Sequence, residues 1–175
     1  IKVIEESGSN VVSIINDILD YSKIEAGKIE IECEPFSLRE CMELSLDLFM
    51  DQVSRKKLEL AYYIDPSVPE TIKGDSARLR QVLVNLIGNA IKFTDTGFIY
   101  ATVTLAKSVK TQHTLEFSVK DTGIGIPKHK LDRLFKSFSQ ISGRASSSRG
   151  GTGLGLAISK KLVDVMGGDL AVKSE

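Results

Sequence analysis

The chain has little cysteine, no excess of charge of either sign and no long apolar run, and each shortage narrows its class. Cys33 and Cys41 are its only two cysteines. They have no metal-ligand spacing and read as the reduced thiols of a cytosolic protein. Lysine plus arginine number 23 and aspartate plus glutamate 23, so the formal net charge is zero, and no run of five like charges occurs. Neutrality of this kind argues against a nucleic-acid-binding surface. No apolar stretch approaches the ~20 residues needed to span a bilayer, and no signal peptide opens the sequence. No membrane contact by this segment is therefore expected. Repeats and low-complexity tracts are missing as well. The sequence does have 175 residues, 42% of them hydrophobic and 26% charged. Such a chain is one ordinary globular domain with a core, plus a short appendage.

Hydrophobic periodicity sketches the elements. Ile4, Val11, Ile15 and Ile18 recur at helical spacing, so residues 1–26 read as a helix stopped by Gly27. An amphipathic helix with no partner in the chain suggests docking onto another helix, such as that of a second copy. Gly8 weakens the pattern near the start. Ile29 and Ile31 alternate with Lys28, Glu30 and Glu32 as a strand does. Ser37-Leu-Arg-Glu40 is a capping box, with Phe36 placed to staple to Cys41, and Leu38, Cys41, Met42, Leu46 and Phe49 form the apolar face behind it. Leu58–Ile64 reads as a strand. Asp75 is the expected N-cap of a helix running through Ile91. Phe98–Leu105 and Leu115–Lys120 read as paired strands with His113 in or near their connection. Pro127 opens a short helix through Phe135, and Ser139–Gly153, almost devoid of apolar residues, reads as a mobile loop. Leu154–Met166 is a helix ended by Gly167-Gly168, and Asp169–Lys173 begins a strand.

Within that sketch, four unlike motifs stand in order between residues 81 and 156. Gln81, Asn85, Asn89 and Lys92 fall at i, i+4, i+8 and i+11 of one helix, a narrow polar stripe beside an apolar face. Unpaired amides buried there would cost roughly 1–3 kcal/mol each, so they need partners, and an amide oxygen is a competent ligand for Mg²⁺ that also bridges nucleotide phosphates. Asp121 ends a strand ahead of Thr-Gly-Ile-Gly-Ile. A carboxylate there can accept the exocyclic amino group of adenine, which guanine lacks at that position, while Gly123 and Gly125 let the backbone come close to a base. Leu134-Phe-Lys-Ser-Phe138 follows. Gly150, Gly151, Gly153 and Gly155 then lead directly into an apolar helix, so that amides and the helix N-terminus can face an anion, with the Thr152 hydroxyl nearby. No strand precedes these glycines, which speaks against a Rossmann fingerprint.

Together the four motifs resemble the N, G1, F and G2 boxes of the ATP-binding domain of sensor histidine kinases, in the wider family that also holds gyrase, MutL and heat-shock chaperone ATPases. Residues 10–32 resemble the second dimerisation helix and exit strand of the same kinases, particularly the hybrid type. The resemblance implies an α/β fold, a two-layer sandwich of a mixed β-sheet and helices (the Bergerat-type ATP-binding fold), preceded by an N-terminal helix from a dimerisation domain. It divides the chain into 1–27, part of that domain, and 28–175, the catalytic domain with its final strand expected beyond Glu175. It implies ATP and Mg²⁺ as cofactors, with Asn89 as principal metal ligand, Asn85 in support and Lys92 neutralising phosphate charge, Asn85 and Lys92 being the catalytic pair. Asp121, Gly123 and Gly125 would contact the base, and the amides of Gly151, Thr152, Gly153, Leu154 and Gly155 the phosphates. Phe135 and Phe138 would pack beneath a lid. Arg133, Lys136, Arg144 and Arg149 are candidate phosphate contacts without a ranking. The implied partners are a second copy, through the dimerisation helices, and the receiver domain of a response regulator. The implied location is the cytoplasm, in a parent that could be membrane-anchored.

The same resemblance implies transfer of the γ-phosphoryl of ATP to a histidine. Neither His113, in Thr-Gln-His-Thr, nor His129, in Pro-Lys-His-Lys, has the context of a phosphoacceptor, so the acceptor helix is expected before residue 1. Two other readings stay open. One is an ATP-hydrolysing relative of gyrase or MutL, in which a glutamate stands where this chain has Asn85. An amide cannot take a proton from water, which disfavours hydrolysis. The other is a nucleotide-binding regulatory module without kinase activity.

Overall fold

The computed structural model describes residues 2–110, 112–131, 133–135 and 153–174. In chain order the elements are α1 (Lys2–Glu25), β1 (Glu34–Ser37), α2 (Leu38–Asp47), α3 (Met50–Lys56), β2 (Glu59–Ile64), β3 (Thr71–Gly74), α4 (Ser76–Phe93), β4 (Phe98–Val109), β5 (Gln112–Asp121), α5 (Lys128–Leu131) and α6 (Gly155–Val165). They fall into two compact units, Glu32–Gly125 and the remainder, Ile1–Ile31 with Ile126–Glu175.

The Glu32–Gly125 unit is built on a mixed sheet of order β2-β4-β5. β2 runs parallel to β4, from Glu59 opposite Phe98 to Ile64 opposite Val103. β5 returns antiparallel, with Asp121 opposite Ile99 and Phe117 opposite Val103. The two-residue strand period places Ile99, Ala101 and Val103 on one face, and all three are buried. Helices α2 and α4 pack together and α4 packs on the sheet, so Leu83, Ile87 and Ile91, one turn apart along α4, are fully buried with Met42 of α2. Each such side chain contributes about 1.5–3 kcal/mol by leaving water. The mixed sheet under helices that the motifs implied is therefore present.

Both ends of α4 are tied down. At its start the buried Asp75 accepts the Arg78 N–H through Oδ1 at 2.9 Å and the Glu32 N–H through Oδ2 at 3.2 Å. At its end Lys56 Nζ donates to the carbonyls of Ile91 (2.7 Å), Lys92 (3.3 Å) and Thr94 (3.0 Å). Ser37 Oγ accepts the Glu40 N–H at 3.3 Å, as the capping motif requires. Burial pushes the Cys41 thiol up from its ordinary pKa, against the opposing pull of Arg80, which keeps it unreactive.

In the other unit, α1 and α6 pack together. Lys161 forms an ion pair with Glu25 and lies 5.0 Å from the centre of the Tyr21 ring. Ile24 of α1 and Leu154, Ala157, Ile158 and Leu162 around α6 are buried. Val11, Ile15, Ile18 and Leu19 on α1 are about half exposed. Among the described residues, no helix is long and apolar enough to cross a membrane.

Several boundaries differ from the sequence expectations. Residues 28–33 form no strand, and the first strand starts at Glu34, paired antiparallel with Thr71–Gly74. That partner is four residues long, too short for periodicity to register. The apolar face read through Phe49 belongs to two helices, broken at Leu48-Phe49, the second ending at Lys57 with φ 55°. The helix after Pro127 stops at Leu131. The amides of Arg133 and Leu134 bond three residues back, to Lys130 and Leu131, so the α-helix does not propagate. Asp169–Lys173 has no ladder partner among the described residues. Its surroundings are side-chain contacts instead, with Asp169 on Lys160 at 2.5 Å and the Ile126 N–H on Ser174 Oγ at 2.7 Å.

Candidate functional site

The polar stripe of α4 survives folding as a line of half-buried side chains, Gln81, Asn85, Asn89 and Lys92, beside the fully buried Leu83, Ile87 and Ile91. Its members are not equivalent. Gln81 accepts from Arg78 Nη1 at 2.9 Å, a local bond that ties it to the first turn of the helix. Lys92 stands over the Phe93 ring, 5.2 Å from its centre. Burial depresses its ammonium pKa below the ordinary 10.5, the state in which an anion placed nearby is most strongly favoured.

The turn after β5 is stitched to the end of that helix. Ile124 N donates to the Phe93 carbonyl at 3.2 Å, Thr122 N to Phe98 O at 3.2 Å, and Phe98 N to Thr122 Oγ1 at 3.0 Å. Asp121 is exposed, and its Oδ1 accepts the Gly123 N–H at 2.8 Å, which holds the carboxylate against the turn. Gly123 is required by space. A Cβ there would lie 2.5 Å from Phe93 O, 2.7 Å from Asp121 Oδ1 and 2.9 Å from Thr94 Oγ1. Gly125 is required by conformation, at φ 65°. Residues far apart in sequence, the end of the amide-bearing helix and the Asp-Thr-Gly-Ile-Gly turn, thus form one surface feature carrying a lysine, a carboxylate and a close-approaching backbone.

In the other unit, Gly153 (φ 71°) and the buried Leu154 lead into α6, whose first residue is Gly155. The first-turn amides of such a helix have no intrahelical acceptor. Gly151 and Thr152 lie outside the described residues, as do Lys136, Phe138, Arg144 and Arg149 and all of the loop expected at Ser139–Gly153 except Gly153. Arg133 is exposed and Phe135 half-buried. His113 lies within β5, 3.1 Å from Ser108 Oγ, and His129 on α5, both exposed. Sequence reasoning gave no role to Thr94, just past the amide-bearing helix, to the Thr122 hydroxyl inside the Asp121 motif, or to Lys56, whose partners lie 35 to 38 positions further along the chain. For Lys56 no local signal exists, since the cradle forms only on folding.

Residues 74–175 match the family described as histidine kinase-, DNA gyrase B- and HSP90-like ATPase. The chain belongs to this ATPase family. Its match with hybrid signal transduction histidine kinase B of Dictyostelium discoideum is 46% identical over 172 residues, 98% of this chain and 9% of that protein. With the signal transduction histidine-protein kinase BarA of Escherichia coli K12 it is 44% identical over 175 residues, 100% of this chain and 19% of that one. Among solved structures, full-length ShkA in complex with AMPPNP superposes with TM-score 0.79 at 32% identity, covering 95% of this chain and 33% of that one. The catalytic domain of histidine kinase ThkA, nucleotide free, gives 0.61 at 28% identity, covering 77% of this chain and 82% of that domain. The chain thus spans less than a fifth of the full-length relatives. Family and fold agree with what the four motifs implied.

Proposed function

We propose that this chain is the ATP-binding catalytic part of a two-component sensor histidine kinase. The observation that carries the reading is the joining of the α4 stripe to the Asp121 turn within one unit of a family ATPase fold. Asp121 accepts the adenine amino group, and the Gly123 and Gly125 backbone lies against the base. Lys92, half-buried, neutralises phosphate charge, and the amides of Gly151, Thr152, Gly153, Leu154 and Gly155 hold the remaining oxygens. The donor set suits Mg²⁺. Asn89, half-buried on α4, offers an amide oxygen to the metal, with Asn85 one turn earlier in support. One or two protein ligands complemented by phosphates and waters is how Mg²⁺ is usually bound. When bound, that ion neutralises charge on the transferring phosphoryl group, and the protein's own work is positioning and electrostatics.

Asn85 cannot act as a base toward water, so ATP is held without efficient hydrolysis until a histidine nucleophile is presented. His113 and His129, exposed and without acceptor context, are not that nucleophile. The half-exposed apolar residues of α1 suit pairing with the α1 of a second copy in the intact protein, and a receiver domain of a response regulator then takes the phosphoryl group in the cytoplasm. The test is transfer of labelled γ-phosphoryl from ATP to an added dimerisation-domain fragment carrying an acceptor histidine. Acid-labile label on that fragment supports the assignment. Nucleotide binding with no transfer to any such fragment supports a regulatory module instead.

A further inference from the structure

Thr94 closes α4 with its backbone, its amide donating to Ala90 O at 3.0 Å and its carbonyl accepting from Lys56 Nζ at 3.0 Å. Its side chain is another matter. The residue has 0% relative exposure, and its hydroxyl is the one buried side-chain nitrogen or oxygen among the described residues without a hydrogen-bond partner. An unpaired buried hydroxyl costs on the order of 1–3 kcal/mol. Valine has the same shape without that cost.

The surroundings show what the hydroxyl is for. The point where a Gly123 Cβ would stand is 2.9 Å from Thr94 Oγ1 and 2.7 Å from Asp121 Oδ1, so hydroxyl and carboxylate flank a single glycine. Any side chain at 123 would wedge them apart. Phe93 O, the third oxygen around that point, already accepts the Ile124 N–H. Among the described residues, Asp121 Oδ1 accepts the Gly123 N–H alone, at 2.8 Å, and keeps a lone pair for a second donor. Asp121 is exposed, so a small shift of its carboxylate toward the hydroxyl is open to it while the Gly123 bond is kept.

We propose that Thr94 is a positioning residue for Asp121 in the nucleotide-bound protein, an inference that rests on the nucleotide reading above. With nucleotide in place the Thr94 O–H donates to Asp121 Oδ1. That oxygen is then saturated by Thr94 and the Gly123 amide, and Oδ2 is left aimed at the adenine amino group. The hydroxyl is unpaired in the free protein and satisfied in the complex, so its hydrogen bond contributes to binding rather than to folding. A hydroxyl one residue beyond the amide-bearing helix thereby becomes part of base selection without touching the base.

The experiment titrates ADP and purine riboside 5′-diphosphate, which lacks the 6-amino group, into wild type, Thr94→Val and Thr94→Ser, with thermal melting of each protein. Wild type prefers ADP. Thr94→Val is expected to weaken ADP about five- to tenfold while leaving the deamino nucleotide unchanged, at an equal or higher melting temperature, and Thr94→Ser restores the preference. If Thr94→Val does not fold, Thr94→Ala removes the same hydroxyl and must show the same loss of preference. A lower melting temperature with the ADP preference intact would mean a structural hydroxyl and overturn the proposal. Equal weakening of both nucleotides would overturn it too. Failure of wild type to bind either nucleotide overturns the nucleotide reading itself, and this inference with it.

Discussion

Replacing Lys56 by methionine keeps the aliphatic stem and removes the ammonium that three carbonyls at the end of α4 share. The last carbonyls of a helix have no intrahelical donor, and the negative end of the helix dipole adds to their demand for a cation. Each hydrogen bond from a charged donor contributes about 1.5–3 kcal/mol when water is excluded. Here the side chain is 34% exposed, and its contact with Asp95 is long, at 4.0 Å. Water can replace part of what the lysine supplies, so the net loss is nearer 1–3 kcal/mol for the whole cradle. For a unit of this size about 1 kcal/mol corresponds to a fall of ~4–8 °C in melting temperature. Urea unfolding of Lys56→Met, with Lys56→Arg beside it, measures the loss. Arginine should recover only part of it, because a planar fork cannot point at three carbonyls converging on one atom. Because Phe93 O, which holds the Asp121 turn, lies in the capped segment, ADP affinity should fall together with stability. A loss below ~0.5 kcal/mol, within the range of ordinary surface substitutions, would refute the idea that the cradle organises this end of the helix.

Asn89→Ala should weaken the Mg²⁺-dependent part of ADP binding at least about tenfold while leaving the melting temperature nearly unchanged, checked by titration with and without the metal. Asp121→Asn places an amide donor against the adenine amino group, so the preference for ADP over GDP should fall by about tenfold or more in competitive titration. The Lys92 pKa, lowered by burial from 10.5, gives a sign for pH. The charged lysine opposes folding below its folded pKa, and that opposition disappears as pH rises past the unfolded value. Phosphate binds only the charged form, so ADP affinity should decline with rising pH, beginning below 10.5, and Lys92→Arg should remove the decline. The chain alone, incubated with labelled ATP, should take up no acid-labile phosphate, and stoichiometric label lost in His129→Gln would show that this histidine is the acceptor.

Much of the architecture follows from local pattern. The helical period of Leu79, Leu83 and Leu86 beside the amide stripe specified α4, and Asp75 and Ser37 marked helix starts that fold as caps because a side-chain oxygen can reach an amide two or three residues ahead. Phe98–Leu105 read as a strand, and Ile99, Ala101 and Val103 form its buried face in the fold. The glycines of the Asp-Thr-Gly-Ile-Gly turn were legible because a backbone at positive φ, or one pressed against three oxygens, admits little else. Elements whose existence depends on a partner were not legible. The Thr71–Gly74 strand is stabilised by pairing with Glu34–Ser37, across a separation at which four residues carry no period of their own. Asp169–Lys173 has the composition of a strand but lacks a ladder among the described residues, since alternation describes a face and only a neighbouring backbone makes a strand. The Lys56 cradle and the unpaired Thr94 hydroxyl were equally hidden. Residue type and spacing determine which chemistry a segment can offer. Which donor meets which acceptor is decided only when tertiary packing excludes water and leaves each buried polar group with the partners within its reach.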